Sequence, residues 1–87
     1  QVVVSGTRES VERAVEIAKA KGAKRALLLP VSAPFHSALM QPAADAMREA
    51  LAQVTIRDPQ VPLVANVTAG PVQDAEAIRD LLVRQVT

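Results

Sequence analysis

Two prolines four residues apart, Pro30 and Pro34, cut the stretch RALLLPVSAPFHSALM, and no other part of this sequence restricts the fold as much. An apolar run, Ala26 to Leu29, enters the stretch and reads as a buried strand. Proline has no N–H to give and restricts the residue before it, so regular structure stops at Pro30 and again at Pro34. Directly afterwards stand the only aromatic residue, Phe35, and the only histidine, His36, and a helical pattern follows. Open α/β sheets place their chemistry at such a point, where a strand end meets the mouth of the next helix.

A chain of 87 residues makes one small domain at most, with a core that is marginal for its size. With a single aromatic, that core must be built from Val, Ala and Leu. Ten basic and nine acidic residues are mixed along the chain, which argues against a nucleic-acid or membrane surface. No apolar run reaches transmembrane length and no signal-peptide pattern is present. The absence of cysteine removes disulfides and thiolate metal sites and fits a cytoplasmic protein. The sequence opens inside an apparent strand without an initiator Met and closes without a helix stop, so both ends are expected to be cut from something larger.

Read in order, Gln1 to Ser5 predicts a short β-branched strand, and Gly6 and Thr7 a turn into a helix. From Arg8 to Lys21, Val11, Ala14, Val15 and Ala18 recur at helical spacing, opposite Glu12, Arg13, Glu16 and Lys19. Gly22 is placed to stop this helix. Arg25 to Leu29 follows as the second strand. A second helix is expected to begin near Pro42, with Ala43, Met47, Ala50, Leu51 and Val54 inward, and Met40 and Met47 as core filling. Pro62 to Thr68 predicts a third strand, Gly70-Pro71 a turn, and Asp74 and Glu76 the start of a last helix with Ile78, Leu81 and Leu82 inward. The expected order is β-α-β-α-β-α, an α/β pattern. Continuing the last apolar line reaches Gln85, a polar residue at an inward position or a surface residue near the chain end.

His36 is the first candidate for chemistry, because an imidazole can give and take a proton near neutral pH once a partner fixes its tautomer. The alternative is a histidine that packs or caps. It cannot complete a metal site with only scattered carboxylates for company. No G-x-S-x-G elbow supplies a nucleophile, and Ser37 beside it reads better as a local backbone hydrogen bond. Ser-Gly-Thr-Arg before the first helix reads as a plain turn rather than an anion site. Asn66-Val67-Thr68 matches a glycosylation sequon with no sign of secretion, and Asn66 reads instead as tying the third strand to its surroundings. On the residues alone, the chain carries half a site.

The sequence resembles the malonyl-CoA:acyl-carrier-protein transacylase family of bacterial fatty-acid synthesis, which is related to the acyltransferase domains of polyketide synthases. QVVVSG, VERA, KGAKRALLLPVSAPFHSALM, VPLVANVTA and AIRDLLVRQV carry the resemblance over essentially the whole chain. It implies that a serine on a G-H-S-x-G elbow attacks malonyl-CoA and that a phosphopantetheine thiol of acyl carrier protein then attacks the malonyl-enzyme. His36 matches the catalytic histidine, and Gln85 the residue whose main-chain carbonyl accepts the imidazole N–H. Phe35 matches a bulky position that leaves no room for an α-methyl group on the acyl chain, a discrimination worth about 1–3 kcal/mol. The resemblance implies no cofactor, only the coenzyme A thioester and the carrier protein as substrates.

It further implies that residues 1–32 are the last β-α-β of a ferredoxin-like small subdomain. Residues 33–87 would be a His-bearing segment of the larger, α/β-hydrolase-like subdomain. The serine and the arginine for the malonyl carboxylate would lie outside this chain, which alone is expected to be inactive. A strand from an earlier segment would separate the two strands kept here, leaving open edges that pair with that segment or self-associate. Two rival readings are a polyketide-synthase acyltransferase domain and a non-enzymatic α/β interaction module in which His36 is structural.

Overall fold

Helix α1 spans Arg8–Ala20, and its two ends follow from local chemistry. Thr7 caps the start, its hydroxyl oxygen accepting from the Ser10 N–H at 3.2 Å. At the other end Gly22 takes φ +98°, so the Gly22 N–H reaches the Lys19 carbonyl and the Ala23 N–H the Ala18 carbonyl. This left-handed position suits glycine, which has no Cβ to clash. Val11, Ala14, Val15 and Ala18 are half-buried, as the periodicity predicts, but none is fully covered.

The computed structural model describes all residues from Gln1 to Thr87. After a single 3-10 turn at Ala38–Met40, helix α2 runs over Gln41–Ala52 with Pro42 in its first turn. Strands β1 (Leu63–Ala65) and β2 (Gly70–Val72) pair antiparallel, Leu63 opposite Val72 and Ala65 opposite Gly70. Helix α3 spans Ala75–Arg84, capped by Asp74, whose carboxylate accepts from the Ala77 N–H at 2.9 Å. Asp58 accepts from the Ala75 N–H at 2.7 Å, so two carboxylates meet the positive end of α3. Asp74→Ala is expected to destabilise the chain by about 1 kcal/mol, measured as a shift in urea midpoint.

The mixed helix-and-sheet class agrees with the sequence, but the expected strand alternation is corrected. Gln1–Ser5 and Arg25–Leu29 form no strand, and of their backbone groups only the Leu29 carbonyl takes part in a main-chain hydrogen bond, from Val31 at 2.8 Å. A strand exists only when a neighbour takes its N–H and C=O groups, and no segment of this chain lies alongside these two. Val2 is accordingly 90% exposed, and Leu27, Leu28 and Leu29 are exposed with it. Gly70-Pro71, expected to turn, is instead strand β2, and the turn falls at 66–69 with Ala69 at φ +53°. Pro71 is tolerated because both strands of a two-stranded sheet are edges.

The core lies between α2, the hairpin and α3, and consists of Ala44, Ala65, Ala75, Ile78, Leu81 and Val83. Four of these six belong to α3, which is therefore the central element. Two inward faces differ from expectation. On α2 it is Ala44, 2% exposed, that is buried, while Ala43, Met47 and Ala50 are exposed, as is Val54 beyond the helix end; α2 packs chiefly against α3. Met47 is thus not core filling. On α3 Val83 is buried and Leu82 is not. The molecule extends over 50 × 25 × 17 Å with a Cα radius of gyration of 16.9 Å, against about 12 Å for a compact chain of this length. Its accessible surface, 6969 Å², exceeds the roughly 4,900 Å² of a compact chain of this mass.

Candidate functional site

His36 stands in the short link between the Pro34 turn and the 3-10 turn that leads into α2. The Phe35 N–H turns back to the Ala33 carbonyl at 2.9 Å, and the Ser37 hydroxyl donates to the Pro34 carbonyl at 2.7 Å. Ser37 is therefore engaged with the local backbone, in the arrangement its position suggests. His36 itself takes φ +60°, a left-handed conformation uncommon for a residue with a side chain. Such a conformation costs of order 1 kcal/mol or more and persists only where surrounding contacts hold it.

Those contacts come from the end of α3. The His36 backbone N–H donates to the Val86 carbonyl at 3.3 Å, and Nδ1 lies 2.9 Å from the Gln85 carbonyl oxygen. Both carbonyls lie at or beyond the last turn of α3, where a helix has no acceptor-filling N–H of its own. One histidine thus answers two of these carbonyls. Because a carbonyl can only accept, the Gln85 contact puts the proton on Nδ1 and leaves the Nε2 lone pair free. Gln85 is half-buried, in keeping with its inward position.

Two cavities open beside the imidazole. One, of about 320 Å³, is polar and lined by His36, Asn66, Val67, Arg84, Gln85 and Thr87. The other, of about 360 Å³, is an apolar groove between α2 and α3 lined by Phe35, Met47, Leu51, Leu82 and Val86, with His36 and Gln85 at its edge. Phe35, 46% exposed, is a wall of that groove rather than core. No Asp or Glu side chain lines either cavity, and Arg84 is the one fully charged side chain there.

The structure brings His36, Phe35 and Gln85 together from positions 49 residues apart. Asn66 makes no side-chain hydrogen bond and faces the polar cavity instead of tying β1 to its neighbours. Asn66, Arg84, Val86 and Thr87 were not singled out as site residues by sequence; the signal for Arg84 and Val86 is only their adjacency to Gln85. Ser-Gly-Thr-Arg forms the plain turn and cap described above. No helix is long and apolar enough to cross a membrane.

The family described as the acyl transferase domain matches residues 1–85. The malonyl CoA-acyl carrier protein transacylase of Salmonella typhimurium is 57% identical over 86 residues, 99% of this chain and 28% of that protein. The crystal structure of acyl-carrier-protein-S-malonyltransferase from Bartonella henselae superposes with a TM-score of 0.85 at 63% identity, over 94% of this chain and 26% of that one. A malonyl-transacylase in complex with its type II PKS acyl-carrier protein gives a TM-score of 0.85 at 53% identity, over 93% of this chain and 26% of its own. The chain spans little more than a quarter of the relatives it matches.

Proposed function

The chain belongs to the acyl transferase domain family, and from that premise we propose that it carries the histidine of a cytoplasmic malonyl-CoA:acyl-carrier-protein transacylase. The observation that carries the reading is the His36 Nδ1–H donated to the Gln85 carbonyl, which leaves Nε2 as a base. In the first half-reaction Nε2 takes the proton of a serine hydroxyl supplied by the rest of the enzyme as that oxygen attacks the thioester carbon of malonyl-CoA. The C–S bond breaks, and the imidazolium returns the proton to the coenzyme A thiolate. In the second half the phosphopantetheine thiol of acyl carrier protein gives its proton to Nε2 and attacks the malonyl ester, and the serine leaves with that proton.

A neutral carbonyl does here what a carboxylate does in the usual triad. It orients the ring but stabilises the imidazolium less than a carboxylate would. Phe35, as a wall of the apolar groove, is proposed to narrow the space beside the acyl α-carbon. Residues 1–32 are proposed as part of a ferredoxin-like small subdomain and 33–87 as part of an α/β-hydrolase-like larger one. The exposed apolar segments Val2–Val4 and Leu27–Leu29 support this, since a larger sheet would cover them.

The test is malonyl transfer to acyl carrier protein by a polypeptide that joins this chain to the remaining segments of an acyl transferase. Turnover is expected in the joined protein and none in the 87-residue chain alone; a folded joined protein without transfer would overturn the reading. In the joined protein Gln85→Ala is expected to cost less than about tenfold in kcat, because the main-chain acceptor remains, with the loss confined to poorer packing of the last turn.

A further inference from the structure

The geometry of His36 depends on where α3 lies against α2, and one side chain from the middle of α3 ties it to the C-terminal end of α2. Arg79, on α3, points at the C-terminal end of α2. Its Nη1 donates to the Leu51 carbonyl and to the Val54 carbonyl, the latter at 3.1 Å. Its Nη2 lies 3.6 Å from the Glu76 carboxylate, and the Arg79 side chain is only 20% exposed. A guanidinium holds its donors in a rigid fork, so two carbonyl contacts fix position as well as satisfy charge.

The two helices are therefore capped reciprocally. The end carbonyls of α2 are met by Arg79 of α3, and the end carbonyls of α3 are met by His36, which leads into α2. From His36 through α2 to Arg79, and back along α3 to Gln85, the connections close a ring. Arg79 stands six residues before Gln85, about 9 Å along the helix axis, and touches neither cavity. By contrast the Arg48–Asp80 pair that also joins α2 to α3 is exposed, at 3.5 Å. Exposed pairs of this kind hold little.

We propose that Arg79 is a positioning residue that, by clamping the C-terminal end of α2 to α3, sets the Gln85 carbonyl under His36 and so selects the imidazole tautomer with Nε2 free. The proposal rests on the reading of His36 as the base, but its readout does not. With a single histidine, 15N NMR of the imidazole in the full chain reports the tautomer directly. Arg79→Met is expected to lower the Nδ1–H population relative to the Nε2–H form by about fivefold, the effect of losing one hydrogen bond of ordinary strength at Nδ1. Arg79→Lys, which returns a cationic donor to the same carbonyls, is expected to restore most of it. Arg48→Gln is expected to leave the ratio unchanged.

A helical Arg79→Met protein with the original tautomer ratio would overturn the proposal, as would an equal shift in Arg48→Gln. If Arg79→Met does not fold, the unsubstituted chain decides: on warming, exchange protection of the Arg79 guanidinium protons and of the His36 Nδ1 proton should be lost together. Loss of the first while the second persists would also overturn it. Failure of malonyl transfer with the tautomer shift intact would sink the transacylase reading and leave the clamp standing.

Discussion

Replacing His36 with asparagine is expected to lower malonyl transfer by about 10³-fold in an acyl transferase containing this chain, while the protein stays folded. Asparagine is chosen because His36 sits at φ +60°, and asparagine is among the few residues with a side chain that accept this region readily. Alanine would add backbone strain to the loss of the base and blur the result. The Val86 carbonyl keeps its partner in the variant, since that bond comes from the backbone N–H. A thermal melt should therefore shift little while single-turnover acylation of the serine collapses. Transfer within tenfold of the original, in a folded variant, would mean that His36 is structural and that the chain is better read as an interaction module.

The second large effect concerns stability. Ile78→Ala is expected to cost about 3 kcal/mol and to lower the Tm of the chain by about 15 °C. Ile78 is 6% exposed and is the largest β-branched side chain among the four core residues supplied by α3. Only six residues are buried in the whole chain, so a single cavity removes a large part of what holds α3 to α2 and the hairpin. Leu82→Ala is the control: Leu82 is 44% exposed, and about 1 kcal/mol is expected. Equal losses at the two positions, read from urea midpoints, would show that α3 does not bury the face described here.

Half of the site was legible without coordinates. The single histidine after a broken apolar run pointed to position 36, and the inward line of the last helix reached Gln85. Arg79 could not be found that way. It lies on α3 beside Ile78 in a run of ordinary helical charges, and its partners, Leu51 and Val54, offer main-chain carbonyls that leave no mark on side-chain identity. The same holds for Val86, whose carbonyl rather than its side chain holds the His36 backbone.

The three helices were written in the sequence because helix hydrogen bonds join residues four apart. Their ends depend on nearby residues: Thr7 and Gly22 for α1, Pro42 for α2, Asp74 for α3. Strands follow a different rule. QVVV and ALLL have every local mark of a strand, yet neither forms one here, since their hydrogen bonds must be made with a neighbour that local sequence does not specify. Gly70-Pro71, with every mark of a turn, became a strand because Leu63–Ala65 lay beside it. The inward faces of α2 and α3 were likewise settled by what they pack on, and so was the approach of the α3 C-terminus to His36 across 49 residues. Local bonding can be read along the chain; bonding between distant segments is decided only when the chain has brought them together.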